Sequence, residues 1–110
     1  MTTYAIARLH DAPMHPEIVQ YLERIDATLA PFGGRFLVHG ARPTVLEGAW
    51  LEHLIVIAFP DRARAEGWYA SPAYRRILPL RTRNIPGDAI LIDGVSPDHK
   101  ATDILAALSP

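Results

Sequence analysis

The sequence contains no cysteine, which excludes disulfide bonds, thiolate metal sites and catalysis by a cysteine nucleophile. It also contains a single lysine, Lys100, beside ten arginines. These 11 basic residues face 12 acidic ones, so the formal net charge is only −1. Proteins dedicated to nucleic acid normally carry a clear basic excess, and this balance therefore argues against nucleic acid as a partner.

Long apolar runs are missing as well. No stretch of the chain reaches the roughly 18 apolar residues that a membrane span needs. The first residues lack the basic and apolar segments of a secretory signal. We therefore expect a cytoplasmic protein that has no membrane partner. The composition that is present, 49% hydrophobic and 21% charged, is that of an ordinary folded domain.

Strands are predicted where apolar side chains alternate or form short runs between turn residues. The predicted strands lie at residues 3–10, 35–39, 52–59 and 89–93. Residues 44–47 are predicted to continue the second strand beyond a bulge at Gly40 and Pro43.

Helices are predicted between these strands. Four apolar residues recur at helical spacing over residues 16–30 and form a core stripe. Asp61 is the expected N-cap of a second helix that reaches residue 70, and Ser71 that of a third helix. This third helix begins at Pro72 and is predicted to break at Pro79. The stripe of the first helix consists of Ile18, Leu22, Ile25 and Leu29.

The order strand, helix, strand, strand, helix, strand predicts an α+β protein with the ferredoxin-like βαββαβ arrangement. Both helical connections then cover one face of a four-stranded antiparallel sheet. We expect one domain over residues 1–94, followed by a C-terminal tail at 95–110 with a weak helix at 102–108. The tail is expected to pack on a partner subunit or to fray, and to carry no catalytic group.

The third predicted strand is apolar on both of its faces. Leu54 and Val56 face one way, whereas Ile55 and Ile57 face the other. The helices cover only one of these sets. We predict that the other set is covered by a second copy of the chain, giving a homodimer.

Five short motifs follow one another along the predicted strands and helices. They are GGRFLV at 33–38, VLEG at 45–48, VIAFP at 56–60, WYASPAY at 68–74 and the single residue Arg81. In this order and spacing they resemble the family called domain of unknown function 1330. The resemblance covers residues 4–94.

The resemblance implies membership of the dimeric α+β barrel superfamily, in which two ferredoxin-like chains pack their sheets into one barrel. That superfamily includes cofactor-independent monooxygenases, polyketide cyclases, isomerases and small stress-induced proteins. Their ligands generally lie within each protomer, between the sheet and the helices, and no cofactor is expected here. By matching position, the family's polar and aromatic signature falls on Arg35, Glu47, Trp68, Tyr69, Ser71, Tyr74 and Arg81.

The chain departs from the family pattern at three positions. His39 stands where many members have arginine, Ala41 where glycine is usual, and Ala58 where many members have glutamate. If that glutamate serves as an acid or base in the family, this chain lacks the group. The departure speaks against a shared carboxylate mechanism.

His39 is the candidate for acid–base chemistry. It lies at the end of a predicted strand beside Gly40, and an imidazole exchanges a proton readily near neutral pH. The alternative is a structural histidine, hydrogen-bonded at the strand end or at a dimer contact. The other histidines show neither H-x-H nor H-E-x-x-H spacing, so no metal site is expected.

Residues 61–83 carry a local positive charge, with six arginines against Asp61 and Glu66. This charge indicates an anionic ligand. A guanidinium binds a carboxylate through two parallel hydrogen bonds, so we expect Arg81 to hold a ligand carboxylate, with Arg42 as a second candidate.

Three aromatic residues, Trp68, Tyr69 and Tyr74, are predicted to line the same cleft. Core packing is the alternative explanation for each, and for Trp68 it is the preferred one. Arg35 and Glu47 are predicted to form a structural ion pair at the second strand, with pairing to Arg81 as the alternative.

Two functions remain open at this point. The first is a small cofactor-free enzyme of the monooxygenase, cyclase or isomerase type, acting on an aromatic or polyketide-like carboxylate. In it, His39 moves a proton and Arg81 or Arg42 holds the anion. The second is a non-catalytic ligand-binding or stress-related protein with the same pocket.

Overall fold

The computed structural model describes residues 1–108. They form an antiparallel sheet of four strands in the spatial order β2-β3-β1-β4. This order is that of the ferredoxin-like fold and confirms the predicted α+β architecture. The strands are β1 (Thr3–Leu9), β2 (Arg35–His39), β3 (His53–Phe59) and β4 (Gly87–Asp93).

The helices connect these strands. Helix α1 (Pro16–Leu29) joins β1 to β2, while α2 (Arg62–Ala70) and α3 (Pro72–Thr82) join β3 to β4. After the sheet, a short 3-10 turn leads into α4 (Ile104–Leu108), at the position of the predicted tail helix. The last two residues of the predicted tail, 109 and 110, lie outside the described residues. No helix in residues 1–108 has both the length and the apolar character to cross a bilayer.

The side chains predicted as N-caps do cap α2 and α3. Asp61 accepts a hydrogen bond from the Arg64 N–H at 2.8 Å. Ser71 accepts one from the Tyr74 N–H at 3.3 Å. Each cap satisfies a backbone donor that has no partner within its helix. The cap at Ser71 fixes the point where α2 ends and α3 changes direction.

The register of the sheet assigns alternate residues to its two faces. Ala5 of β1 lies opposite Ile57 of β3 and Leu91 of β4. These three residues face the helices, where Ile57 is buried in one core cluster with Leu29 and Trp68. The three longer helices therefore cover this face of the sheet.

The buried stripe of α1 differs from the predicted one at one position. Ile18, Ile25 and Leu29 are buried as expected, but Leu22 is 42% exposed and Tyr21 is only 8% exposed. The stripe runs 18, 21, 25, 29, which is also a helical spacing. Residue 21 faces α3 because α1 packs against α3 as well as against the sheet.

Helix α3 does not break at Pro79, contrary to the prediction. It continues to Thr82, and the Arg83 N–H donates to the Pro79 carbonyl at 3.0 Å. Proline removes one hydrogen bond of the helix, but the buried Ile77 and Leu78 hold this turn against the core. The continued helix carries Arg81 past the proline.

Residues 44–47 do not continue β2, so that prediction was wrong. The strand ends at His39, and residues 40–52 form a loop whose residues 41–51 are all exposed. Gly40, directly after β2, has φ +79°, a left-handed conformation that ends the extended strand, and Gly48 within the loop has φ +71°. A bulge is present, but it lies inside β2, between Phe36 and Val38.

The second face of the sheet is bare in the described chain. It carries Leu54 and Val56 on β3 and Ile90 and Ile92 on β4. Ile90 is 53% exposed and Ile92 is 47% exposed. Of the two sets considered on β3, the helices therefore cover Ile55 and Ile57 and leave the other bare.

Candidate functional site

A cavity of about 240 Å³ lies between the sheet and helices α1 and α3. Ala5 and Ala7 of β1 and Ala89 of β4 line its floor. Ala7 and Ala89 lie side by side across the two strands. Protein interiors are close-packed, so three methyl groups beneath two helices leave a space that larger side chains would fill.

Five of the predicted site residues line this one cavity. His39 reaches it from the end of β2, Trp68 and Tyr69 from α2, and Tyr74 and Arg81 from α3. His39 and Arg81 therefore share a cavity, as the predicted site required. The role of these residues in binding or catalysis stays a prediction.

The structure does not bring every predicted residue to the site. Arg42 is exposed in the loop after β2 and is not part of the cavity wall. Arg35 and Glu47 form no ion pair with each other or with Arg81 among the described residues. Glu47 lies in the same exposed loop, which leaves the sheet after Gly40.

The missing glutamate at position 58 does not affect this cavity. Ala58 pairs with Tyr4 on β1 and Arg35 on β2, on the face of the sheet that the helices leave bare. A side chain there points away from the cavity. The departure from the family pattern at Ala58 therefore removes no acid from this site.

Aromatic rings that pack against one another at tilted angles form one side of the cavity. The rings of Trp68 and Tyr74 lie 4.1 Å apart between centroids, and those of Tyr69 and Tyr74 lie 5.6 Å apart. Trp68 is 3% exposed, and its Nε1–H donates to the Thr28 hydroxyl at 3.0 Å. Trp68 thus has the core position that its sequence context favoured, and only part of its ring borders the cavity.

A pair of tyrosine hydroxyls forms the polar part of the wall. Tyr21 of α1 and Tyr74 of α3 share a hydrogen bond of 2.7 Å between their hydroxyl oxygens. Tyr21 was missing from the predicted site. Its position three residues after Ile18 and four before Ile25 was a detectable signal, because a buried tyrosine needs a partner for its hydroxyl.

Arg81 lies beside this pair. Its guanidinium carbon is 5.9 Å from the centre of the Tyr21 ring. Within residues 1–108, no carboxylate pairs with Arg81, whereas Arg8, Arg62 and Arg83 each have an acidic partner. A partly buried cation without a counter-ion attracts an anion.

The protonation states of Tyr21 and Arg81 keep this corner of the cavity positive. Burial, followed by the neighbouring Tyr74 hydroxyl, raises the pKa of Tyr21, and the charge of Arg81 opposes this only in part. Burial lowers the pKa of Arg81, but the oxygens of Tyr21 and Tyr74 outweigh that effect and raise it overall. The phenol is therefore neutral and the guanidinium charged at physiological pH.

His39 supplies a second polar group at the wall. Its ring stacks on Phe36, with centroids 4.3 Å apart and planes inclined by 14°. The imidazole makes no hydrogen bond to any described residue. Its two ring nitrogens are thus open to a ligand or to water. No cluster of metal-binding side chains occurs in the described part of the chain.

Taken together, the fold and the cavity define a ferredoxin-like α+β protein with an aromatic pocket between its sheet and its helices. The chain belongs to the family described as domain of unknown function, DUF1330, which matches residues 2–95. No curated protein shows a significant match.

Three solved structures show the same fold. A protein of unknown function from Rhodopseudomonas palustris is 16% identical with a TM-score of 0.66, covering 87% of this chain and 84% of that one. A dimeric ferredoxin-like protein of unknown function from Jannaschia sp. CCS1 is 13% identical with a TM-score of 0.57, covering 82% and 98%. SnoaB, a cofactor-independent oxygenase from Streptomyces nogalater, is 15% identical with a TM-score of 0.53, covering 90% and 96%. These identities establish the fold alone.

Proposed function

We propose that this protein binds a small aromatic carboxylate in the cavity of each subunit and transfers a proton on it without a cofactor. The observation that carries the proposal is Arg81, a cation that has no acidic partner among residues 1–108 and lies at the wall of an otherwise largely apolar cavity. Apolar walls with a few placed polar groups are the usual form of a small-molecule site.

The volume of the cavity limits the ligand. An apolar protein cavity of about 150 Å³ holds one benzene molecule. The cavity here measures about 240 Å³, which suits one ring with a short acidic side chain. It favours a single-ring carboxylate over the fused rings of a polyketide.

His39 provides the proton transfer in this proposal. One ring nitrogen takes a proton from the carbon next to a ligand carbonyl, and the resulting enolate lies in the field of Arg81. The protonated imidazole then returns a proton to the same carbon, which restores the ligand and exchanges that proton with solvent. A positioned acid–base group of this kind contributes roughly 10²–10⁴-fold to a rate.

Binding without catalysis is the second candidate. The exposed position of His39 favours it, since a catalytic base usually lies in a site that excludes water. The description of SnoaB as a cofactor-independent oxygenase shows that this fold supports catalysis without a cofactor. It does not decide between the two candidates for this chain.

Replacing Arg81 tests the anion site. Phenylacetate should raise the melting temperature of the wild-type protein more than phenylacetamide, which has the same shape without the charge. Arg81→Met should weaken phenylacetate binding at least roughly tenfold, because a desolvated charge contact contributes about 2 kcal/mol or more. The phenylacetate affinity of Arg81→Lys should lie between those of the wild type and Arg81→Met, since lysine keeps the charge but lacks the planar guanidinium.

The matched control is Arg76→Met, on the same helix but exposed and away from the cavity. It should bind phenylacetate as the wild type does. An equal loss of phenylacetate affinity in the Arg76 and Arg81 variants would show that only the net charge of the protein matters, and would contradict a specific anion site at Arg81.

Proton exchange separates catalysis from binding. In D₂O, wild-type protein should accelerate loss of the methylene proton signal of phenylpyruvate above the rate in buffer. His39→Ala should lower the protein-dependent rate by roughly 10²–10⁴-fold, with binding retained. His10→Ala, outside the cavity, is the control. Binding without any protein-dependent exchange would leave the non-catalytic function as the correct one.

We further propose that the bare face of the sheet joins two copies into a homodimer. The exposed side chains of Ile90 and Ile92 continue the apolar surface of Leu54 and Val56. Contiguous exposed apolar surface of this kind marks an interface. The similar protein from Jannaschia is itself described as dimeric. The tail after residue 94, whose Ile104 is also exposed, is proposed to pack on the partner.

The dimer is tested by Val56→Asp. At micromolar concentration, light scattering should give the wild type twice the 12.2 kDa mass of one chain. Val56→Asp should be monomeric, because the dimer would bury an unpaired charge. Val19→Asp, on the exposed side of α1, should remain dimeric. A monomeric wild type would overturn the proposal.

A further inference from the structure

The hydroxyl groups of Tyr21 and Tyr74 form a buried hydrogen bond at the wall of the cavity. The two residues are 53 positions apart in sequence, on α1 and α3, yet their oxygens lie 2.7 Å apart. Their rings meet edge to face at 6.1 Å between centroids. Tyr21 is 8% exposed and Tyr74 is 2% exposed, and both line the cavity.

The Tyr21–Tyr74 pair has one hydroxyl proton that does not take part in the hydrogen bond between the two residues. Two neutral tyrosines carry two hydroxyl protons, and the bond between them occupies one. No other side-chain or backbone oxygen of the described chain accepts the second proton. Arg81, which interacts with both hydroxyl groups, has donors only and cannot accept it. The remaining acceptor is whatever occupies the cavity.

We infer that the Tyr21–Tyr74 pair donates this second proton to the oxygen of a bound carboxylate and, with Arg81, sets the preference of the cavity for that group. The inference rests on the proposed function and adds a specificity determinant to it. A carboxylate offers acceptors to the hydroxyl and to the guanidinium at once. A carboxamide of the same shape turns an NH₂ group toward one of these donors.

Tyr21 and Tyr74 act together as the hydrogen-bond donor to the ligand. Either oxygen of the pair is able to act as the donor in the shared bond, so either hydroxyl is able to present the free proton. Removing one hydroxyl leaves the other with a proton that no longer has an internal acceptor. That proton remains available to the ligand. Only the loss of both hydroxyls removes the donor.

This redundancy gives a distinctive signature in a double-mutant cycle. Tyr21→Phe and Tyr74→Phe should each weaken phenylacetate binding by less than about threefold. The double variant should weaken it by roughly tenfold or more, because a hydrogen bond to a charged group is lost. Its preference for phenylacetate over phenylacetamide should shrink in parallel. Removing both partners of a buried hydrogen bond is nearly neutral for folding.

Tyr4→Phe is the control, since Tyr4 lies on the other face of the sheet. It should leave both affinities unchanged. If the double variant binds phenylacetate as tightly as the wild type while Arg81→Met does not, the inference is wrong and the proposed function stands. If the wild type binds no aromatic carboxylate, both are wrong.

A measurement on the unmodified protein does not depend on how the variants fold. The hydroxyl proton resonance of Tyr21 or Tyr74 should shift downfield when phenylacetate is added, because a hydrogen bond to a carboxylate is short and strong. Addition of toluene, which fills the cavity without an acceptor, should not produce that shift. An unchanged hydroxyl resonance with phenylacetate bound would overturn the inference.

Discussion

The site depends on the shortness of three side chains. Ala5, Ala7 and Ala89 occupy the helix-facing side of the two strands β1 and β4, where larger residues would close the space beneath α1 and α3. The helices are held by well-packed contacts elsewhere, above all by the buried cluster around Phe59 and Trp68. They do not collapse onto the alanines. The same packing that stabilises the fold therefore keeps the cavity open.

Charge gives this cavity its chemical character. A cavity lined only by alanine, isoleucine and aromatic rings would accept any apolar molecule of the right size. Arg81 changes that, because its partly buried charge has no acidic partner in the described chain and neutral tyrosine hydroxyls are its polar neighbours. His39 then adds a group able to exchange protons at the end of β2. Apolar volume, fixed cation and free imidazole together account for the proposed preference for a small aromatic acid.

Local sequence signals predicted the elements well, whereas the site depends on contacts between distant segments. Strand alternation and the caps at Asp61 and Ser71 are local, and the structure confirms them. The predicted stripe of α1 was wrong at one position, since Tyr21 and Leu22 both fit a helical stripe and only packing against α3 decides between them. Helix α3 continues through Pro79 because the burial of Ile77 and Leu78 stabilises this turn by more than the lost hydrogen bond costs. Five residues of the cavity wall were predicted from the sequence, but its alanine floor was not, because that floor arises where short side chains from separate strands meet.

The central claim is that an aromatic anion occupies the space above these alanines. Its most direct test is an NMR measurement of contacts between the ring protons of phenylacetate and labelled methyl groups of the protein. The account predicts nuclear Overhauser effects to the methyl groups of Ala7 and Ile57, which line the cavity. Contacts confined to Val56 on the bare face of the sheet, or no contacts at all, would contradict it.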